Sequence, residues 1–295
     1  MARERGAAND NYRNLPAPVA EAGKTLLLLP RRITASRRRL PDFLIIGGQR
    51  CGTTSLYRYL VTHPAVAGSY PGKGVHYFDT YPERSLSWYR AHFPVDRGNG
   101  PMTGEGSPYY IFHPLAARRV ADALPGVRVI AMLRDPVERA YSHYQQEYAR
   151  GFEECSTFEE ALDREPERLA GEHDRLVADP SYASYAHRHH SYVARGEYLG
   201  QLVEWHRHLP QEQLLVVHAE RFFANPQLVM GEVQSFLGLE SIPVPDARAH
   251  NARAYSGMLP ATRERLVSHF EEPNRWLYEY LGSDLGWSRL PPVSA

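Results

Sequence analysis

The sequence predicts an α/β fold, a three-layer sandwich in which a central, mostly parallel sheet is flanked by helices. Three segments lead to this prediction, because in each a short apolar run is followed directly by a helical pattern. They cover residues 43–64, 128–149 and 213–239. Strands that alternate with helices are typical of parallel sheets, whose ligands bind at the carboxyl ends of the strands.

The first strand–helix pair begins with the apolar run 43–46, which ends at two glycines. A continuous apolar run of this length is typical of a parallel strand that is buried on both faces. After the glycine-rich loop, apolar side chains recur at positions 56, 59 and 60, and Pro64 ends the pattern. We therefore expect a helix directly after the loop.

The second pair begins with the β-prone run 129–133, and this strand ends at Arg134. Asp135, Pro136 and Glu138 then occupy the N-cap, first-turn and N3 positions of the next helix. This spacing predicts a capping box, with proline where a helix tolerates it.

The third pair places a strand within residues 213–222 and a helix within 225–239. Further helical patterns cover residues 158–170, 192–209 and 260–281. No internal repeat interrupts this order, so the elements predict one domain.

The length of 295 residues fits one large domain, which we place at residues 41–290. We interpret residues 1–40 as an N-terminal arm or linker. The basic segment 31–39 is interpreted as a solvated run of charge, with a membrane-binding or partner-binding patch as the alternative. Basic and acidic residues balance at 34 each, so the net charge gives no reason to predict a nucleic-acid or acidic-membrane partner.

No stretch approaches the roughly 20 apolar residues of a membrane span, so no transmembrane segment is expected. The two cysteines, Cys51 and Cys155, do not form a disulfide framework. A reducing compartment is consistent with this composition. We predict a cytoplasmic location, in a bacterial cell.

The loop GGQRCGTT, residues 47–54, has the frame of a phosphate-binding loop. A glycine-rich turn that leads into a helix directs several backbone N–H groups at one point, where the helix dipole also favours an anion. The side chains of this segment add one positive charge and three hydroxyl groups. The predicted anion cradle consists of Arg50, Cys51, Gly52, Thr53, Thr54 and Ser55.

The loop lacks the lysine with which nucleoside triphosphatases reach the β- and γ-phosphates. None of the apolar strands ends in the acidic residue that a magnesium ion would require, and the strand 129–133 ends in Arg134 instead. The pattern therefore favours an anion that arginine and hydroxyl groups neutralise without a metal. It argues against hydrolysis of a triphosphate.

Two segments of the chain resemble the nucleotide-binding motifs of sulfotransferases. FLIIGGQRCGTTSL is similar to their 5′-phosphosulfate loop, and RVIAMLRDPVERAYSHY is similar to their 3′-phosphate motif. Together these motifs bind 3′-phosphoadenosine 5′-phosphosulfate (PAPS). The resemblance implies a P-loop-type fold and a metal-independent, in-line transfer of the sulfuryl group to a hydroxyl or amine, with adenosine 3′,5′-bisphosphate (PAP) as product.

Five further motifs resemble the bacterial and heparan-sulfate-type branch of that family, and the similarity runs in order from about residue 42 to 287. They are KGVHYFD (73–79), WYRAHFP (88–94), EGSPYY (105–110), RGEYLGQLVEWHRHLP (195–210) and FEEPNRWLYEYLGSDLGW (270–287). This branch implies a carbohydrate or small-molecule acceptor, such as a sugar, a phenol or a lipid headgroup. Oligomeric state does not follow from it.

The resemblance assigns nucleotide-binding roles to four arginine and serine residues. Arg50 stands where the family has a lysine that contacts the bridging oxygen, which implies an electrostatic clamp for the leaving phosphate. Arg134 and Ser142 match the pair that binds the 3′-phosphate. Arg253, in NARAY, matches a basic residue of the C-terminal loop that closes on the nucleotide.

The general base does not follow directly from the resemblance, because Gly74 stands where the family has its usual glutamate. His76 is the first candidate, since a neutral imidazole suits proton abstraction near pH 7. Glu105 is the alternative, and a structural role for His76 is the third possibility. Lys73 could orient the acceptor or the sulfate, which would place Lys73 and His76 on the acceptor side.

Three histidines at 187, 189 and 190 lack the spacing of a zinc site. We expect this tyrosine-rich stretch to form part of an acceptor cleft or its lid. Two alternatives to a sulfotransferase stay open at this point. One is a nucleotide kinase or phosphotransferase, and the other is a relative that binds a nucleotide or glycan without turnover.

Overall fold

A five-stranded parallel sheet forms the centre of the computed structural model, which describes residues 17–244 and 257–287. The sheet order is β2-β3-β1-β4-β5, and every pairing of neighbours is parallel. This confirms the predicted α/β class. The strands are β1 (Phe43–Gly47), β2 (Val66–Gly68), β3 (Met102–Glu105), β4 (Arg128–Leu133) and β5 (Leu214–His218).

Helices cover both faces of this sheet. In chain order they are α1 (Ala17–Ile33), α2 (Thr53–Leu60), α3 (Leu86–Arg90), α4 (Ala116–Ala123), α5 (Pro136–Ala149), α6 (Phe158–Leu169), α7 (Glu172–Ala178), α8 (Tyr185–His189), α9 (Tyr198–His208), α10 (Ala219–Ala224), α11 (Pro226–Leu237) and α12 (Pro260–Leu281). A 3₁₀ helix, Pro108–Ile111, follows β3.

Both faces of β1 and β4 are buried, which explains their continuous apolar sequences. Alternate residues of β1 enter two separate cores. Leu44 and Ile46 pack with residues of α4 and α9, whereas Phe43 and Ile45 pack with residues of α2 and α11. The three-layer arrangement follows from this alternation.

Asp135 caps the start of α5 as predicted, because its Oδ1 accepts a hydrogen bond of 2.9 Å from the N–H of Val137. The predicted capping box with Glu138 is wrong. The N–H of Asp135 donates instead to Oε1 of Glu220, at 3.0 Å, while Glu138 forms an ion pair with Arg263. A residue distant in sequence thus replaces the local partner.

The basic segment after α1 is partly docked on the domain. Arg31 donates from Nε to the carbonyl of Ala91 (2.6 Å) and from Nη2 to that of Phe93 (2.9 Å), and Arg38 donates from Nη1 to the same Phe93 carbonyl (2.7 Å). The interpretation of the whole segment as solvated charge is therefore wrong for these two arginines. The domain boundary near residue 40 stays a prediction.

After β1, the chain continues on the side of the sheet that contains β3 and β2. After β4, it continues on the opposite side, with β5. A crevice opens at such a reversal, outside the carboxyl ends of the two strands. Gly47 of β1 is paired there with Met132 of β4 and has a φ of +137°. A Cβ at position 47 would lie only 2.3 Å from the Met132 carbonyl oxygen, so the close approach requires glycine.

We predict that Gly47→Ala lowers the free energy of unfolding by about 2–4 kcal/mol, because the new methyl group meets the rigid backbone of β4. Urea denaturation measures this difference. Gly126→Ala is the matched control, since no atom lies within 4 Å of a Cβ at that position. If the two variants were equally stable, β4 would shift without loss of free energy, and the prediction would be wrong.

Candidate functional site

The glycine-rich loop turns sharply between β1 and α2. The N–H of Gly48 donates to the Met132 carbonyl at 3.1 Å, and Arg50 and Gly52 have φ angles of +77° and +92°. Helix α2 then begins at Thr53, with the side chains of Thr53 and Ser55 buried at its first turn. A helix N-terminus and its hydroxyl groups therefore lie where the sequence predicts an anion cradle.

The structure brings Arg50 of the loop together with the two residues predicted to bind the 3′-phosphate. Nε of Arg50 donates to Oγ of Ser142 at 2.9 Å, and its Nη1 donates to Oε1 of Gln146 at 2.9 Å. Nη1 of Arg134 donates to the backbone carbonyl of Arg50 at 3.2 Å. These contacts form one continuous cationic site across the ends of β1 and β4.

Gln49 fixes the loop from the side of α5, and the sequence analysis missed this residue. Its Nε2 donates to Oε1 of Glu147 at 2.7 Å, and its Oε1 accepts from Nη1 of Arg195 at 2.6 Å. Arg195 and Glu147 are almost completely buried. Burial lowers the pKa of Arg195 to about 10, which leaves it charged at neutral pH. Arg195 lies in the RGEY motif, and this motif could have indicated that Arg195 contacts the loop.

Cys51 does not contribute to the surface of the loop, because the residue is fully buried. Burial raises the pKa of the Cys51 thiol to about 11, so it stays protonated. The thiol faces the hydroxyl of Tyr198 at 3.9 Å. It is a packing residue on the protein side of the cradle.

Lys73 reaches the cradle from the segment that follows β2. Its Nζ donates to Oγ1 of Thr53 at 2.7 Å and to Oγ1 of Thr54 at 3.4 Å. The side chain crosses Gly106, where an added Cβ would lie 2.4 Å from Cε of Lys73. The missing side chain at position 106 therefore gives the lysine its path to the loop.

His76 forms a close pair with Asp79, a residue that the sequence analysis did not select. Nδ1 of His76 lies 2.9 and 3.1 Å from the two carboxylate oxygens of Asp79. Since a carboxylate only accepts, Nδ1 carries a proton, and in the neutral form of the ring Nε2 presents a lone pair. The side chain of His76 is 28% exposed, whereas that of Asp79 is completely buried. The spacing of the two residues within KGVHYFD could have indicated the pair.

The carboxylate of Asp79 stays ionised in this pair. Its burial alone would raise the pKa, but the neighbouring His76, through its charge and its hydrogen bond, outweighs burial and holds the pKa below the usual range. Position 74 controls access to the ring, because a Cβ on Gly74 would lie 3.2 Å from Nε2 of His76. Glycine there leaves this nitrogen open.

Glu105 is placed as an organiser, and the geometry does not fit its predicted alternative role as base. The side chain is fully buried. Oε1 accepts from the hydroxyls of Tyr89 (3.1 Å) and Tyr110 (2.7 Å), and Oε2 accepts from the N–H of Val75 (2.9 Å) and Oγ of Ser107 (2.6 Å). Four donors occupy both oxygens, so neither can receive a proton from an acceptor. Burial raises the pKa of Glu105.

The histidine-rich stretch distributes its side chains among different partners. Nδ1 of His187 lies 2.7 Å from the hydroxyl of Tyr109, Nδ1 of His189 donates to Glu147 at 2.6 Å, and His190 contacts the Phe152 carbonyl. Burial lowers the pKa of His187 to about 2, so its ring is neutral. Within residues 17–244 and 257–287, no cluster of side chains suits a metal ion. The predicted role as a lid stays a prediction.

Two other sequence-based expectations concern Arg253 and membrane-spanning helices. Arg253 lies outside the described residues, so its predicted contact with the nucleotide has no structural counterpart here. Among the helices that the structure describes, none combines the length and the apolar character that crossing a bilayer requires.

Comparison with known proteins identifies relatives along most of the chain. A model of the sulfotransferase domain family matches residues 40–253. Human heparan sulfate glucosamine 3-O-sulfotransferase 6 is 30% identical over 88% of this chain and 77% of its own length. The membrane-associated sulfotransferase kil1 of Dictyostelium discoideum is 26% identical, and the match covers 84% of this chain but only 66% of that protein.

A solved structure confirms the fold. The sulfotransferase from Alicyclobacillus acidocaldarius superposes with a TM-score of 0.69 at 30% sequence identity, over 83% of this chain and 97% of that chain.

The relatives contradict the cytoplasmic location that the sequence analysis predicts. One is membrane-associated by name, and three more are heparan sulfate sulfotransferases. These relatives point to a location outside the cytoplasm, and the predicted location is therefore wrong. Balanced charge and two buried cysteines did not carry information about the compartment.

Proposed function

The chain belongs to the sulfotransferase domain family, and from this membership we propose that it transfers the sulfuryl group of PAPS to a hydroxyl or amine of a carbohydrate acceptor. The observation that carries the proposal is the joined cationic site of Arg50, Arg134 and Ser142 beside the helix N-terminus of the loop. A bisphosphorylated nucleotide has anionic groups at two separated positions, and this site offers donors for both.

The donor groups of the site suit an anion. Backbone N–H groups, the hydroxyls of Thr53 and Thr54, the ammonium of Lys73 and the guanidinium of Arg50 would hold the 5′-phosphosulfate. Arg134 and Ser142 would hold the 3′-phosphate. Since all of these groups donate hydrogen bonds or carry positive charge, they can stabilise the developing charge on the leaving phosphate without a metal ion.

We assign the role of general base to His76. As the acceptor oxygen or nitrogen forms its bond to sulfur, its proton passes to Nε2 of His76, and the bond from sulfur to the bridging oxygen breaks. Asp79 accepts a hydrogen bond from Nδ1–H of the same ring and thereby stabilises the imidazolium that forms. Lys73 and Arg50 neutralise the negative charge that the 5′-phosphate retains.

Glu105 positions the base without exchanging protons. It accepts from Ser107, whose Oγ in turn accepts from the N–H of His76 at 3.0 Å, and it also holds the N–H of Val75. His76 has a φ of +58°, a conformation that needs support from its surroundings. The buried carboxylate provides that support.

A carbohydrate acceptor is supported by the relatives that are named for heparan sulfate. The kinase alternative is not favoured, because the matching family transfers sulfuryl groups and the loop has no lysine before its hydroxyls. The non-catalytic alternative is not favoured either, because the His76–Asp79 pair keeps a base in place despite Gly74.

The first test compares binding of PAP and AMP by calorimetry. We expect wild-type protein to bind PAP at least about 100-fold more tightly than AMP, because hydrogen bonds from charged groups to the 3′-phosphate are strong. Arg134→Ala with Ser142→Ala should abolish this preference, whereas the exposed Arg118→Ala should keep it. Wild-type protein that prefers ATP with Mg²⁺, or transfers no label from radioactive PAPS to heparan sulfate, would contradict the proposal.

The second test concerns the base. His76→Ala should lower kcat by at least about 100-fold while PAP affinity stays within twofold. Asp79→Asn should lower kcat by about 10-fold or more, because the ring loses the carboxylate that holds Nδ1–H and stabilises the imidazolium. His269→Ala, on the surface of α12, is the control. Turnover within a few-fold of wild type would remove His76 as base.

The third test concerns the path of Lys73. Lys73→Ala and Gly106→Ala should each lower kcat/KM by about 10- to 100-fold, because the alanine methyl displaces the flexible lysine from the loop. The double variant should be no worse than the poorer single variant. Gly200→Ala, where a Cβ meets no atom within 4 Å, is the control. Additive losses would show that the two positions act separately.

A further inference from the structure

The outward face of helix α1 is apolar. We define the α1 outer face as Leu26, Leu29, Pro30 and Ile33, which fall within a sector of about 100° on an α-helix. Leu26, Leu29 and Ile33 are 66%, 48% and 86% exposed. On a helix that packs against a domain, the side that points to water is normally polar, so this face is unusual.

The opposite side of the same helix is fixed to the domain. Leu28 is buried at 2% exposure, and Arg31 donates to the carbonyls of Ala91 and Phe93. The guanidinium of Arg31 also lies over the ring of Tyr70, at 4.7 Å. Since these contacts set the rotation of the helix, the α1 outer face points away from the domain.

Basic residues follow this face along the chain. Residues 23–41 contain no acidic residue, and their basic residues are Lys24, Arg31, Arg32, Arg37, Arg38 and Arg39. Arg39 forms an ion pair with Asp42 at 2.9 Å and adds no net charge. The Arg31 and Arg38 bonds described above go to backbone carbonyls, which leave their charges in place. Arg32 and Arg37 are exposed. The whole chain has a formal net charge of zero, so the excess is local.

We propose that the α1 outer face binds the surface of an anionic lipid membrane. The apolar side chains would enter the headgroup region while the flanking arginines contact anionic headgroups, and the helix would lie in the plane of the interface. A second copy of the chain fits this face less well, because symmetric pairing would bring two basic segments together. The proposal is independent of the sulfotransferase reaction.

Sedimentation of the full-length protein with lipid vesicles tests the proposal. We expect binding to phosphatidylcholine vesicles that contain about 30% phosphatidylserine as the anionic lipid. Binding should be weaker in high salt or to pure phosphatidylcholine. Leu26→Gln, Leu29→Gln and Ile33→Gln combined should lower the partition coefficient at least about tenfold. Arg32→Gln with Arg37→Gln should lower it by roughly fivefold for each arginine removed.

The matched control is Val177→Gln with Leu228→Gln, because these side chains are similarly exposed, at 49% and 53%, but lie on α7 and α11. The control should bind vesicles as wild type does. Failure of wild-type protein to bind anionic vesicles, or unchanged binding of the triple Gln variant, would overturn the proposal. A wild-type dimer that the triple variant converts to monomer would also overturn it and assign the face to a second copy. PAP binding serves as the readout of folding in every variant.

Discussion

The parallel pairing of β1 with β4 sets the geometry of the whole site. Because Gly47 lies opposite Met132 with no room for a side chain, the loop after β1 and the arginine after β4 leave the sheet side by side. The contacts from Arg134 to the loop carbonyl and from Arg50 to Ser142 are consequences of this register. A one-residue slip of β1 against β4 would reverse the faces of the strand that shifts and move the two cationic groups out of register.

Two buried carboxylates organise the halves of the site without being placed to react. Glu147 holds Gln49 of the loop and His189 of α8, while Glu105 holds the segment that carries the proposed base. Each accepts hydrogen bonds from several neutral or cationic donors, as buried charges require. These hydrogen bonds help to hold the backbone at Arg50 and His76, which both have a positive φ.

The apolar sequences of β1, β4 and β5 and the cap of α5 could be predicted because local pattern determines them. Strands β2 and β3 escaped prediction, since β2 has three residues and β3 has a single apolar side chain in MTGE. The loop, Arg134 and Ser142 were selected from sequence, and the structure brings them together. Glu105 was misjudged because two of its donors, Tyr89 and the N–H of Val75, come from segments that are distant in the sequence. The effect of Gly106, which is to admit Lys73, depends on a contact between segments that are distant in the sequence.

The crossing of Lys73 over Gly106 also restricts how this chain can evolve. A mutation that places a side chain at position 106 would displace the ammonium group of Lys73 from Thr53. The resulting protein would be impaired until another cationic residue took the place of Lys73. Positions 73 and 106 should consequently change as a linked pair among descendants of this sequence.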